Sequence, residues 1–163
     1  IHLGSNAHQL DYVTVTDSTL GIRASATATA AGISGSTFLR NQTAVIGGSA
    51  NSIAVTLSEL GGNTTFALQN LAPGSAILAR NNWWGHSSGP RDAVGNPSGL
   101  GDPVSAGVDY GTYASQQPLL DCRLATANGS YTTAVARVSL RLACRNAIEF
   151  RLSESSDFGN LFV

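Results

Sequence analysis

Apolar positions along this chain fall in short runs that alternate with small or polar residues, and the runs repeat. Through about residue 84, four of them open on an apolar residue and end on a larger one five positions later. These are Val15-Thr16-Asp17-Ser18-Thr19-Leu20, Ile33-Ser34-Gly35-Ser36-Thr37-Phe38, Val55-Thr56-Leu57-Ser58-Glu59-Leu60 and Leu78-Ala79-Arg80-Asn81-Asn82-Trp83, which follow one another at similar spacing. Turn clusters follow (Gly21; Arg40-Asn41-Gln42; Gly61-Gly62-Asn63), and then second short apolar runs at Ile22 onward, Ala44-Val45-Ile46 and Phe66-Ala67-Leu68. A repeat of about 20 residues that holds two or three short strands predicts a β-solenoid. One coil cannot bury its inward side chains alone, whereas coils stacked about 4.8 Å apart pair their backbones around a continuous apolar lumen. Val15, Leu20, Ile33, Phe38, Val55, Leu60, Ile77 and Leu78 are the expected lumen residues. Periodicity alone also admits a β-sandwich whose strands resemble one another by chance.

Residues 81–114 carry the most specific pattern. They read Asn81-Asn82-Trp83-Trp84-Gly85-His86-Ser87-Ser88-Gly89-Pro90, then Asn96-Pro97-Ser98-Gly99-Leu100-Gly101-Asp102-Pro103-Val104 and Val108-Asp109-Tyr110. Two adjacent tryptophans bring enough apolar area to plug the end of a lumen, and adjacent strand residues face opposite ways, so one can plug while the other stays outside. Asn81 and Asn82 suit a tight turn, and the Gly/Pro-rich stretch fits neither helix nor central strand. The stretch resembles the closing motif of right-handed parallel β-helix repeat proteins of the pectin-lyase-like type, found on bacterial surfaces and in secreted bacterial multidomain chains. That resemblance implies a last coil ending in NNWWG, a capping loop of the form SGP…NPxGxGDxV and a short terminal strand, with Trp83 and Trp84 as the lumen cap.

The pattern changes again after residue 118. Val135-Ala136-Arg137-Val138-Ser139-Leu140-Arg141-Leu142-Ala143-Cys144 and Ala147-Ile148-Glu149-Phe150-Arg151-Leu152-Ser153-Glu154 alternate as half-buried antiparallel strands do. They resemble the opening strands of immunoglobulin-like modules in bacterial extracellular proteins, but a complete module needs about 100 residues. The expected organisation is therefore all-β: a right-handed parallel β-helix of about four coils over 1–84, a capping loop and terminal strand over 85–117, and a partial immunoglobulin-like segment over 118–163.

Composition narrows the chemistry. Charged residues make up 12% of the chain and the net charge is −1, which excludes electrostatic capture of nucleic acid or anionic membrane as the main role. No apolar run approaches a membrane span. Through residue 80 the acids are Asp11, Asp17 and Glu59, and the repeats contain no acid-acid or acid-x-acid pair. Asp17 and Glu59 would lie two coils apart, about 10 Å, too far for a retaining glycosidase pair. His2, His8 and His86 share no metal-ligand spacing, and no nucleophile-elbow, P-loop or dinucleotide fingerprint occurs. The chain therefore reads as non-catalytic and without cofactor. Calcium is the one ion to weigh, because Asp92, Asn96, Asp102 and Asp109 lie in or beside one Gly-rich loop, although turn-forming Asp and Asn are expected there anyway.

Cys122 and Cys144 form a disulfide worth roughly 3 kcal/mol in an oxidising compartment, or two buried thiols in a reducing one; the rest of the chain favours the first. Three sequons, at Asn41, Asn63 and Asn128, fall at predicted turns where a glycan would be accessible. The resulting expectation is a secreted or bacterial cell-surface structural module: a stalk, adhesin or filament subunit. Its partners would be copies of itself or neighbouring domains of a longer chain that fill its open apolar ends, with surface polysaccharide a further candidate. A carbohydrate-binding or polysaccharide-degrading β-helix is the alternative, and it would require exposed aromatics in register over several coils or a carboxylate cluster.

Overall fold

The computed structural model describes residues 1–25, 28–48, 52–72 and 74–118, and beyond these only four short strands. The chain divides into two compact units, Ile1–Leu120 and Asp121–Val163.

Among the described residues there is no helix, and the first unit is a parallel β-solenoid of about three turns. Its first sheet holds β1 (His2–Leu3), β4 (Leu20–Ala24), β7 (Thr43–Gly47) and β10 (Phe66–Asn70) in that order. The second holds β2 (Ala7–Asp11), β5 (Ala30–Ser34), β8 (Ser52–Thr56), β11 (Ile77–Leu78) and, at its far edge, β14 (Val108–Asp109). The third holds β3 (Thr14–Thr16), β6 (Thr37–Leu39) and β9 (Glu59–Gly61). A parallel pair in the loop region joins β12 (Pro90–Arg91) to β13 (Gly101–Pro103).

Every sheet of the coils advances one coil per strand, so each side chain meets its equivalents directly above and below. Leu10, Ile33 and Val55 are in register in the second sheet, Ile22, Val45 and Leu68 in the first, and Val15, Phe38 and Leu60 in the third. Ile22, Ile33, Val45, Val55, Phe38, Leu60 and Leu68 are all buried, forming the dry lumen. That burial, together with the backbone ladders, is the reason the coils stack.

The register corrects the sequence frame in two places. Ile33 does pair with Val55, but Val15 stacks on Phe38 and not on Ile33. The step from Val15 to Ile33 joined strands of two different sheets, because short alternating strands look alike whichever wall they occupy. Leu78 pairs with Ala54 rather than Val55, and it is 48% exposed where burial was expected. A one-residue slip in a strand moves a side chain to the opposite face, and it is Ile77 that enters the lumen. Val15 and Leu20 are half-buried.

The described strands of the second unit form two antiparallel pairs. β15 (Arg123–Thr126) pairs with β16 (Leu140–Ala143), and β17 (Leu152–Ser153) pairs with β18 (Leu161–Phe162). Cys122 and Cys144 lie outside the described residues.

Candidate functional site

Two polar columns run beside the lumen at the coil corners. In the first, each backbone N–H donates to the side chain one coil on: Ser18 N to Asn41 Oδ1 (3.1 Å), Asn41 N to Asn63 Oδ1 (3.0 Å), and Asn63 N to Asp102 Oδ2 (2.6 Å). The amides also bridge between coils, with Asn41 Nδ2 donating to Val15 O and Asn63 Oδ1, and Asn63 Nδ2 to Phe38 O and Asp102 Oδ2. In the second column Val13 N donates to Ser36 Oγ (3.0 Å), Ser36 N to Ser58 Oγ (3.1 Å), and Ser58 N to Asn82 Oδ1 (2.9 Å). Corner backbone groups have no neighbour in a sheet, and buried ones must find partners; the stacked side chains supply them.

This arrangement overturns the glycan reading at two sequons. Asn41 is 0% and Asn63 3% exposed, and both amides are hydrogen-bonded on both sides, so neither accepts a glycan in the folded chain. Asn128 lies outside the described residues.

Residues 84–110, the lid, pack on the preceding coil, with Val104 bridging to Leu68 and Val108–Asp109 paired with Ile77–Leu78. Trp84 is fully buried and meets Tyr110 edge-on, ring centroids 6.5 Å apart at 78°, while Trp83 is half-buried and bridges to Glu59. The two tryptophans thus part to opposite faces. Backbone packing around the lid is tight: a Cβ at Gly101 would stand 2.6 Å from both Gly89 O and Trp84 O. Asp102 ties the lid to the first column, accepting from Gly62 N (2.9 Å) and twice from Asn63. Burial pushes its carboxyl above the ordinary value, outweighing the hydrogen bonds that favour the ionised form.

The four residues weighed as calcium ligands go to separate partners. Asp92 accepts from Val94 N and Tyr110 OH (both 3.0 Å); the Val94 bond, with help from Tyr110, holds it below the usual carboxylate range. Burial and then Asp92 push the Tyr110 phenol up to about 12. Asn96 faces Asp92 across a tight turn but donates its amide to Ser88 O and Pro90 O. Asp109 pairs with Arg80 at 2.6 Å, which lowers its pKa, and Asp102 sits on the asparagine column. Among the described residues no group of three His, Cys, Asp or Glu could hold a metal.

The remaining acids of the coils are also engaged. Asp17 pairs in bidentate fashion with Arg40 one coil above (2.8 and 2.7 Å), and Asp11 accepts from Gln9 and Ser34. Glu59 is buried and receives Gln117 Nε2. His86 lies in the lid, where its Nδ1 accepts from Ser88 N.

One open groove of about 570 Å³ lies on the surface, flanked by Tyr12, Ser34, Gly35, Leu57, Asn81 and Tyr113. Tyr12, Gly35, Leu57 and Asn81 occupy successive coils at one corner, all with positive φ (57°, 54°, 51° and 59°). Tyr12 is 77% and Leu57 60% exposed. Sequence reasoning missed this groove because Tyr12 and Leu57 are merely apolar in the chain; the corner position makes them exposed.

No protein-family model matches the chain, and comparison with curated proteins and with solved structures gives no match either.

Proposed function

We infer that this chain is a non-catalytic structural module of a secreted or cell-surface protein of the right-handed β-helix type, a rigid stalk, adhesin or filament element. The single observation that carries the reading is the continuity of the stack: one lumen and two polar columns run through successive coils into a lid sealed by Trp84, Tyr110 and Asp102. Such a rod resists bending because each coil is hydrogen-bonded to its neighbours along three sheets. The charged groups favour the same reading, since Asp17, Asp92, Asp102 and Asp109 all serve contacts that hold coils or lid together.

Opposite the lid, β1, β2 and β3 are edge strands of their sheets. An edge of this kind takes a further strand, from another coil of the same polypeptide or from a second copy, and main-chain hydrogen bonds stabilise the junction. Head-to-tail contacts that do not close a ring give filaments. The same proposal includes a Cys122–Cys144 bridge, an oxidising location and a partial immunoglobulin-like segment, which rest on the two cysteines and the alternating pattern of the sequence.

The test combines two measurements on the full chain. Incubation with a panel of plant and bacterial polysaccharides should release no new reducing ends or unsaturated products, and electron microscopy with light scattering should reveal elongated particles that join end to end as concentration rises. Turnover of any polysaccharide contradicts the non-catalytic reading; a compact monomer at all concentrations contradicts the filament. Mass spectrometry of unreduced protein should find a mass two hydrogens below the dithiol form.

A further inference from the structure

We propose that His8 makes the first coil acid-releasable: protonation of its imidazole places a charge in the lumen and frees β1, β2 and β3 from the coil above. In β2 the partly buried residues are His8 and Leu10, while Ala7, Gln9 and Asp11 are exposed. A strand turns alternate residues to opposite faces, so His8 shares the face of Leu10, which packs against the core. The register shows what stands above it. His8 pairs with Ala31 and Ala31 with Ile53, which are 2% and 1% exposed. Ile77 and Val108 form a further buried pair on the same wall. This wall of the lumen thus carries a histidine in the first coil and aliphatic side chains in the coils above.

The surroundings of His8 hold nothing to receive a charge. Its Nε2 atom is buried and has no hydrogen-bond partner among the described residues. The lumen-facing side chains of the neighbouring strands are Leu3 of β1, Val15 of β3, Ile22 and Ala24 of β4 and Ala31 of β5, all uncharged. The titratable groups of the same region are turned outward or engaged elsewhere. His2 stands in register with Arg23, and both are exposed. Asp11 is exposed and accepts from Gln9 and Ser34, Asp17 pairs with Arg40, and the Ile1 ammonium donates to Gly21 O.

A neutral imidazole can leave one ring nitrogen as a bare lone pair, whereas protonation makes both nitrogens donors and adds a full charge. A buried donor without an acceptor is costly, and an unpaired charge in an apolar site costs far more. Relief lies close by, because β2 is the edge strand of its sheet and pairs there with β5 alone. Lifting the first coil brings the imidazole to water and breaks the bonds from Tyr12 N to Ser34 O, Asp17 N to Leu39 O and Thr37 N to Val13 O. The stacked coil therefore binds fewer protons than the lifted one. Its stacking is complete in alkaline solution and is lost as acidification protonates His8. The device belongs to the single chain and does not depend on end-to-end assembly.

The test is hydrogen exchange of the full chain by NMR at about pH 7.5 and about pH 5.5, either side of the interval in which histidine ordinarily changes charge, expressed as protection factors. Protection of the Tyr12, Asp17 and Thr37 amides should fall several-fold, up to about tenfold per pH unit for one proton taken up, while Leu60 and Thr64 in the third coil keep theirs. His8→Leu should raise first-coil protection and remove its pH dependence. His8→Gln, polar but not titratable, should remove the pH dependence without that gain. His2→Leu, at an exposed position, should leave the pH dependence in place. The proposal is overturned if the first-coil amides are equally protected at both pH values, if either His8 variant retains the loss, if His2→Leu abolishes it, or if the loss spreads equally through the third coil.

Discussion

The coils and the lid reach the same end by different means. In the coils one solution is repeated: Val15, Phe38 and Leu60 fill one wall, and Asn41 and Asn63 satisfy the same corner in successive turns. In the lid, residues 84–110, every job is done once. Trp84 fills the lumen against Tyr110, Asp102 ends the asparagine column, and Gly101 lets three backbone segments meet. A repeated solution is robust because each coil is supported by its neighbours. A solution used once has no substitute, although it need not be energetically larger.

That contrast can be broken at the lumen first. Phe38→Ala and Trp84→Ala each remove a large, fully buried side chain and should each cost about 3–5 kcal/mol in denaturant unfolding. The two should differ in where the loss appears. Hydrogen exchange in Phe38→Ala should accelerate throughout the coils, whereas in Trp84→Ala it should accelerate first around residues 100–110. Equal acceleration everywhere in both variants would mean that coils and lid are one cooperative body.

Asp102 sharpens the same comparison at smaller amplitude. Asp102→Ala leaves the N–H groups of Gly62 and Asn63 without their acceptor, at about 1–3 kcal/mol for each group that stays buried and unsatisfied. Ser36→Ala, in the middle of the second column, removes the bond accepted from Val13 N and the one donated to Ser34 O, both partly exposed, and should cost about 1 kcal/mol. Unfolding midpoints that rank these two variants the other way would remove the special standing of the lid.

The smallest effects lie in the pH dependence. Asp17 and Asp109, held down by Arg40 and Arg80, and Asp92, held down by the Val94 N–H, have folded pKa values below the unfolded one of about 3.9. Their stabilisation is present above that value and is lost as pH falls through the folded values. Asp102 has the opposite sign. Its folded pKa is raised, so its ionised form is penalised above that pKa, and protonation on acidification relieves the penalty. Urea unfolding between neutral pH and about pH 3 should therefore show a shallower acid decline in Asp92→Asn and a steeper one in Asp102→Asn. Parallel declines in both variants would contradict these assignments.

Much of this was legible in the sequence, and the gaps have physical causes. The parallel coil was readable from the spacing of Ile33 and Val55, whereas the motif around Trp83 and Trp84, expected to close the coils, is followed by further parallel pairing at Val104, Val108 and Tyr113. Phase was harder. With a side-chain period of two, an error of one residue separates the buried Ile77 from the exposed Leu78, and only pairing to Ala54 resolves it. The asparagine column left a trace in the chain, since Asn41 and Asn63 recur one coil apart, each followed at the second position by threonine. That same trace spells two sequons, and composition alone favours the surface reading. Asp102 reads as a loop carboxylate because its partners, Gly62 and Asn63, lie far earlier in the chain. The groove at Tyr12 was invisible because no local pattern marks a left-handed corner occupied by a tyrosine.

The central claim is that residues 1–84 are parallel coils in which each strand pairs with its equivalent one coil on, and NOE contacts across the strands of that region test it most directly. The methyl groups of Ile33 should give cross-peaks to Leu10 and Val55, those of Val45 to Ile22 and Leu68, and the strands should lack the close Hα–Hα pairs of antiparallel ladders. Strong Hα–Hα contacts between any two strands of residues 1–84, or cross-peaks joining Ile33 to Val15 in place of Leu10 and Val55, would contradict it.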